Sequence, residues 1–171
     1  MAEVDEPLAS LLAERAIRQV VMRYCRAIDR MDEELLRSCY HPDATEDHGG
    51  YVGDLDGYVA WVWPLLHRYT MTMHVVANTL VDFSADVSAA RVETYGVAYH
   101  RDERDPESRR NFTSGFRYLD RFEHRDGAGW RIAARVVAVE WSRADPPEVQ
   151  VSLPPTITRG ARDNTDPLYR A

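Results

Sequence analysis

The chain has 171 residues, of which 44% are hydrophobic and 29% are charged, as in an ordinary globular protein of one domain. Its formal net charge of −7 argues against the basic surface that nucleic-acid binding requires. No apolar run approaches the roughly 18 residues of a membrane span, so we expect no membrane partner. The acidic N-terminal residues lack the basic and apolar regions of a signal peptide, which predicts a cytoplasmic protein.

Residue content excludes several kinds of chemistry. All 21 basic side chains are arginine, so the chain has no lysine to form a Schiff base or to act as a general base. The cysteines, Cys25 and Cys39, lie in predicted helices and are expected to be free thiols. The sequence contains no common metal-binding spacing, no nucleotide-binding loop and no nucleophile elbow. We therefore predict that the protein uses neither a metal nor a cofactor.

The first part of the chain has the patterns of helices. Helical periodicity predicts helices at about residues 11–28, 32–39 and 55–67, and Asp32 and Asp54 are placed to cap the second and third. A short strand and a glycine-rich turn are expected between the second and third helices, at residues 43–53.

The second part of the chain has a period of two. It predicts four long strands, at about residues 71–83, 89–101, 111–124 and 130–143. Helices followed by an antiparallel meander indicate an α+β fold, with helices packed on one face of a curved antiparallel sheet.

The last residues have a different character. Residues 144–171 hold five of the nine prolines and show no sustained period. We therefore predict one domain at residues 1–143 and a proline-rich C-terminal extension at 144–171. This extension is expected either to lie across a pocket mouth or a neighbouring subunit, or to be a loosely ordered terminus.

The first predicted helix carries a phenol and a carboxylate near its end. Tyr24 lies at the centre of an apolar stripe that includes Ile17, Val20 and Ile28. Asp29 lies roughly 130° around the helix from that centre, so one flat face cannot hold both side chains. Either the chain turns near Asp29, or a pocket wraps around the helix.

Histidine is the other candidate for chemistry. Alternation in the strand at 71–83 places His74 and Asn78 on an otherwise apolar face. Because buried polar groups need partners, this face predicts either a catalytic histidine or a core histidine with its hydrogen bonds satisfied. His100 ends the next strand and is a further candidate for the pocket. The remaining histidines are expected at the surface: His41, His48, His67 and His124.

One arginine interrupts the last predicted strand. Arg135 is in line with Ala133 and Val137, so it must pair with a carboxylate or a bound anionic group, or emerge on the outer face of the sheet. Tyr51 and Tyr118 are weaker candidates for lining a cavity.

Four segments together resemble the SnoaL-like branch of the NTF2-like superfamily. They are the helix end with Tyr24 and Asp29, and residues 72–78 (Thr-Met-His-Val-Val-Ala-Asn), 115–123 (Gly-Phe-Arg-Tyr-Leu-Asp-Arg-Phe-Glu) and 130–137 (Trp-Arg-Ile-Ala-Ala-Arg-Val-Val). The resemblance covers about residues 9–143. It implies a cone-shaped α+β barrel, in which a bent sheet surrounds an apolar cavity and the first helix lies across its mouth. It also implies a homo-oligomer, since family members are commonly dimers or trimers.

The resemblance also implies roles for individual residues. In scytalone dehydratases, bile-acid 7α-dehydratases and the dehydrochlorinase of hexachlorocyclohexane, an aspartate on that helix pairs with a histidine on that strand. Asp29 and His74 match these positions. Tyr24 matches the tyrosine of the bile-acid dehydratase pattern, Arg135 resembles its C-terminal arginine, and His100 resembles the second histidine of scytalone dehydratases. The absence of lysine departs from the dehydrochlorinase pattern.

The function implied is that of a cofactor-independent lyase. In this hypothesis Asp29 orients His74, which removes a proton before water leaves a cyclic, hydrophobic substrate of steroid or polyketide type, with Tyr24 assisting. Five further side chains are expected to contact the substrate: Arg135, His100, Tyr118, Asn78 and Tyr51. Two alternatives stay open, namely an isomerase or cyclase that uses the same pair, and a non-catalytic ligand-binding or assembly subunit.

Overall fold

The computed structural model describes residues 6–105, 111–145, 151 and 153–170. The α-helices are α1 (Glu6–Arg30), α2 (Glu33–Ser38) and α3 (Leu55–Leu66). The Asp32 side chain accepts a 2.9 Å hydrogen bond from Leu35 N, and the Asp54 side chain accepts one of 2.8 Å from Gly57 N. Both predicted N-caps are therefore confirmed. Within the described residues, none of these helices has the length and apolarity needed to cross a membrane.

Six strands form one sheet. They are β1 (Tyr40–Asp47), β2 (Val52–Asp54), β3 (Met71–Phe83), β4 (Ala89–Arg101), β5 (Phe112–Arg125) and β6 (Gly129–Ala144). Their order across the sheet is β2-β1-β6-β5-β4-β3. The predicted meander over the last four strands is confirmed, but β1 runs parallel to β6, so the sheet is mixed. The period of a strand does not reveal its partner, and β1 pairs with the last strand of the chain.

Strand β1 begins earlier than predicted. It starts at Tyr40 and contains His41 and Pro42, whereas the strand was predicted only within residues 43–53. The register between β1 and β6 shifts between Tyr40 and Thr45, around Pro42. Proline has no N–H to donate to a strand ladder, and an irregularity of this kind is where a strand can hold it.

Helix α1 lies within the curve of the sheet. Its apolar stripe is buried, with Ile17, Val20, Tyr24 and Ile28 each no more than 2% exposed. The helix contacts β3 at one edge of the sheet and also β6, which is separated from β3 by two strands. One helix can meet both only if the sheet bends around it. This geometry explains how Tyr24 and Asp29, on different sides of the helix, both meet the sheet.

The opposite face of the sheet carries apolar side chains that are exposed to solvent. They come from four neighbouring strands: Met73, Val75, Tyr95, Leu119 and Val136. Alternation directs them away from α1, because their neighbours along each strand point to the buried face.

The chain beyond β6 returns to the helices. Among the described residues of this part, a short 3₁₀ helix spans Pro167–Arg170, and residues 153–166 contain no helix or strand. The side chain of Arg162 nevertheless reaches the ends of α1 and α3, as described below. The division of the chain into a domain at 1–143 and an extension at 144–171 stays a prediction.

Candidate active site

Asp29 and His74 meet where α1 ends against β3. His74 Nδ1 lies 2.7 Å from Asp29 Oδ1, and the two side chains are 10% and 11% exposed. Since a carboxylate accepts hydrogen bonds, this contact places the proton of the neutral imidazole on Nδ1. Nε2 is then the nitrogen that holds a free electron pair.

The Asp29 carboxylate is fixed by further contacts with β3. Thr72 Oγ1 donates to Asp29 Oδ1 at 3.0 Å, and the backbone N–H of His74 donates to Asp29 Oδ2 at 2.9 Å. Because Thr72, His74 and their backbone belong to one strand, the strand holds both members of the pair in a fixed relation. Such support is what a proton-transfer residue needs to keep its orientation.

Arg162, from the C-terminal segment, closes the other side of this junction. Its guanidinium donates to the backbone oxygens of Ile28 and Asp29, both at 3.3 Å, and of Leu66 and Tyr69, at 2.7 and 2.8 Å. It therefore caps the carboxyl ends of α1 and α3, where backbone oxygens lack partners within the helix. The pattern of the sequence did not indicate this role, because nothing in the spacing of a tail residue reveals its distant partners.

His74 forms part of the wall of an apolar cavity of about 260 Å³. Leucines, aromatic residues and valines form most of the remaining wall. The lining residues with polar atoms in their side chains are Tyr24, His48, Tyr58, Trp61, Tyr69, His74, His100, Ser114 and Tyr118. A largely apolar wall with a few polar groups is typical of a small-molecule site.

His100 lies beside His74 in this cavity, as the sequence suggested. The two ring centroids are 5.9 Å apart, and His100 stacks on Phe112 at 4.3 Å. Burial, assisted by the neighbouring His74, lowers the pKa of His100 to about 3. His100 is therefore a neutral imidazole at neutral pH, able to donate or accept one hydrogen bond.

Tyr24 and Tyr58 are linked at the base of the cavity. Their hydroxyl oxygens are 2.7 Å apart, and both side chains are buried. Burial raises the pKa of Tyr24 well above its ordinary value, although the nearby Arg135 opposes this effect. Tyr24 is thus a neutral phenol, suited to donating a hydrogen bond.

Arg135 does not reach the cavity, contrary to its expected contact with substrate. Its Nε and Nη2 donate to the two carboxylate oxygens of Asp120, each at 2.7 Å, and neither side chain is exposed. The guanidinium carbon also lies 4.1 Å from the ring centre of Tyr24 and 3.9 Å from that of Tyr118. Of the alternatives considered from the sequence, pairing with a carboxylate is the one observed. Tyr118 itself does line the cavity.

Asn78 and Tyr51 also lie away from the cavity. The register of β3 against β4 shifts between Val76 and Thr79, which inserts one extra residue and turns Asn78 to the exposed side. The alternation that placed Asn78 with His74 is therefore wrong beyond Val76. Tyr51 donates to Asp54 O at 2.9 Å and stacks on Trp61, which lines the cavity in its place.

His48 is a cavity residue that the sequence analysis assigned to the surface. Its Nδ1 lies 2.7 Å from Glu46 Oε1, and its ring stacks on Tyr58 at 4.9 Å. His41, also expected at the surface, is buried, and burial lowers its pKa to about 4. The strand β1 and the residue after it explain both positions. His41 adjoins Tyr40, which is buried, and Ala44, Glu46 and His48 occupy every second position, so these three side chains point to the same, buried face.

Metal ligands are not grouped in this site. Within residues 6–105, 111–145, 151 and 153–170, no three histidine, cysteine or acidic side chains are arranged to hold a metal ion. The cysteines Cys25 and Cys39 are free and buried, and burial raises the pKa of both thiols. They are therefore poor candidates for nucleophiles.

Comparison with known proteins adds independent information. The family profile of the SnoaL-like domain matches residues 9–136. A search of curated protein sequences gave no match. Similar solved structures include a scytalone dehydratase candidate from Novosphingobium aromaticivorans, which has 19% identity and a TM-score of 0.68, with 84% of this chain and 98% of that chain covered.

Two further solved structures have the same fold. A hexachlorocyclohexane dehydrochlorinase from Novosphingobium barchaimii has 18% identity and a TM-score of 0.69, with 88% of this chain and 100% of that chain covered. An NTF2-like superfamily protein from Salmonella enterica has 14% identity and a TM-score of 0.65, with 76% and 92% covered. At such identities the likeness establishes the fold, which is the predicted cone-shaped α+β barrel.

Proposed function

Because this chain belongs to the SnoaL-like family of the NTF2-like superfamily, we propose that it is a cofactor-independent dehydratase. The observation that supports this proposal is the 2.7 Å contact between Asp29 and His74 Nδ1 at the wall of an apolar cavity. Solved structures of the same fold include a dehydrochlorinase, which is an enzyme. The choice of water as the leaving group is our proposal.

In the proposed reaction, His74 Nε2 removes a proton from a carbon atom next to a carbonyl group. Asp29 keeps the proton on Nδ1 and stabilises the imidazolium that forms. The electron pair of the broken C–H bond forms a double bond as the C–O bond breaks, and the departing hydroxyl keeps the electrons of that bond and takes one proton from an acid in the cavity, so that it leaves as water. Proton transfer by a positioned side chain contributes typically about 10²–10⁴-fold to the rate.

The cavity indicates the kind of substrate. Its volume of about 260 Å³ is just below the range of roughly 300–1,000 Å³ usual for small-molecule sites. Together with its aromatic wall, this volume favours a compact hydrophobic ring system, of one or two rings, over a large tetracyclic steroid. The neutral His100 and Tyr24 are placed to bind the carbonyl and hydroxyl oxygens of such a molecule.

The test is a screen of one-ring and two-ring β-hydroxy ketones for loss of water, followed by mass spectrometry. The same panel is incubated in D₂O, where exchange of the carbon-bound proton reports its removal separately. We expect turnover by the wild type and a loss of about 10²–10⁴-fold in His74→Gln. His67→Gln, at an exposed histidine, is the control and should keep the wild-type rate.

Three outcomes separate the alternatives. Proton exchange with a shifted double bond and no loss of water would identify an isomerase instead of a dehydratase. Binding of the panel without exchange or turnover would identify a binding protein and contradict the proposal. Wild-type activity in His74→Gln would show that the pair is not the catalytic group.

We also propose that the protein is a homo-oligomer that associates through the exposed apolar side chains of the sheet. These side chains, described above, lie on four neighbouring strands and include Val75 and Leu119. Several exposed apolar side chains on one face of a sheet are typical of an interface. Light scattering should give the mass of a dimer or trimer for the wild type, and a smaller mass for Val75→Glu combined with Leu119→Glu. A monomeric wild type at micromolar concentration would contradict this prediction.

A further inference from the structure

A second acid–histidine pair lies in the same cavity as the first. His48 Nδ1 is 2.7 Å from Glu46 Oε1, which is the distance found between His74 Nδ1 and Asp29 Oδ1. The Glu46 side chain is 1% exposed and that of His48 is 20% exposed. Both histidines line the cavity. In both pairs Nδ1 lies beside a carboxylate oxygen, but only the His74 contact has the geometry of a hydrogen bond, whereas the His48 contact is a short ion-pair distance. In each ring Nε2 is the nitrogen left for another partner.

The two pairs come from distant parts of the sheet. His48 directly follows β1, whereas His74 lies on β3, and three strands separate β1 from β3. Only the curvature of the sheet brings both to one cavity. His48 is also held in place by its stacking on Tyr58 at 4.9 Å. A substrate in the cavity would thus have imidazole groups supplied from two different sides.

Buried carboxylates surround the position of His48. Glu46 and Asp120 are both buried carboxylates, and the Arg135 guanidinium already makes two hydrogen bonds to Asp120. A second buried carboxylate without a compensating positive charge or proton would cost several kcal/mol. A positively charged His48 ring would supply that compensating charge 2.7 Å from Glu46 Oε1, and such a ring can give the proton on its Nε2 to a substrate.

We propose that His48 is the general acid of the reaction and that Glu46 is its positioning residue. This inference rests on the proposed function, because it assigns the proton that the leaving hydroxyl needs. As the C–O bond breaks, its electron pair stays with oxygen, which takes the proton from His48 Nε2 and leaves as water. His74 has meanwhile received the proton from carbon. Each turnover ends with a protonated His74 and a neutral His48, and proton exchange with solvent restores both.

Elimination of water requires an acid and a base at the same time, and two residues in opposite protonation states meet that requirement better than one. His48 supplies the acid without changing the role of Asp29 and His74. Tyr24, a neutral phenol of raised pKa, remains a hydrogen-bond donor to the substrate.

The experiment varies the leaving group. Wild type, His48→Gln, Glu46→Gln and His74→Gln are given a β-hydroxy ketone and the matching β-acetoxy ketone, and elimination and D₂O exchange are both measured. Acetate leaves without a proton, so it does not need a general acid. For His48→Gln we expect elimination of water to slow about 10²–10⁴-fold, while loss of acetate and proton exchange stay close to wild type. Glu46→Gln should also slow the elimination of water more than the loss of acetate, but by a smaller factor than His48→Gln.

Other results would overturn the assignment. Equal losses for hydroxyl and acetate in His48→Gln would show a structural role, and unchanged loss of water would show no role. Loss of proton exchange in that variant would make His48 the base instead. Proton exchange that survives in His74→Gln would show that His74 is not the base. The proposed function would then be wrong, and the role of His48, which rests on it, would be wrong as well. Urea unfolding of each variant shows whether it has folded.

Discussion

Asp29→Asn should lower turnover by about 10²–10⁴-fold while leaving the cavity intact. Asparagine has nearly the same shape as aspartate, so the effect isolates charge and proton placement. The Asp29 carboxylate accepts from His74 Nδ1 at 2.7 Å, from Thr72 Oγ1 at 3.0 Å and from the backbone N–H of His74 at 2.9 Å. An amide keeps one accepting oxygen but loses the negative charge that stabilises the imidazolium. It also presents an NH₂ group to the ring, which favours the wrong tautomer.

A matched variant separates charge from hydrogen bonding. Thr72→Val removes one hydrogen bond to the carboxylate and keeps the charge. A hydrogen bond to a charged group is worth about 1.5–3 kcal/mol, but this one is made before and during proton transfer, so only part of it affects the rate and we expect a loss of at most about tenfold. Steady-state kinetics with a substrate from the screen gives both values, and ¹⁵N chemical shifts of the His74 ring report the tautomer. Equal losses in the two variants, or an unchanged tautomer in Asp29→Asn, would contradict the role assigned to this carboxylate.

Asp120→Ala should destabilise the fold by about 3–5 kcal/mol, because it leaves the Arg135 guanidinium buried without its counter-charge. The pair is fully buried, with two hydrogen bonds of 2.7 Å, and joins directly opposed residues of β5 and β6. A loss of this size is a large fraction of the roughly 5–15 kcal/mol by which a typical domain is stable. Urea unfolding followed by circular dichroism measures the change in the free energy of unfolding.

The double variant Asp120→Leu with Arg135→Met is the control. It removes both charges and fills the space with apolar side chains, so we expect it to recover most of the stability lost in Asp120→Ala. A single variant that loses less than about 1 kcal/mol would show that the Arg135 charge is compensated by other groups.

The parts of the fold that follow from local pattern were predictable from the sequence. The N-caps at Asp32 and Asp54, the apolar stripe of α1 and the four-strand meander all depend on neighbouring residues. The positions of Asp29 and His74 at the junction of α1 and β3 were suggested by the resemblance to SnoaL-like proteins. Their roles stay predictions until variants are measured.

The features of the fold and the site that could not be predicted depend on contacts between residues that are distant in the sequence. The parallel pairing of β1 with β6 brings Glu46 opposite Arg135, and no periodicity within β1 reveals its partner. The irregularity after Val76 moves Asn78 to the exposed face, and a single extra residue in a strand leaves no distinct mark in the sequence. The exact partner of Arg135 was open for the same reason, since Asp120 lies on another strand.

The position of Arg162 affects where this protein can be shortened. The SnoaL-like match ends at residue 136, and the last strand ends at Ala144. An expression boundary at Ala144 would keep all six strands and both members of the Asp29–His74 pair, whereas one at residue 136 would also cut β6. Either boundary would remove the Arg162 guanidinium, which donates to the backbone oxygens of Asp29 and Leu66 at the ends of two helices. Sequence conservation confined to the family domain would likewise miss this arginine, so the residues after the sheet belong in any survey of the site.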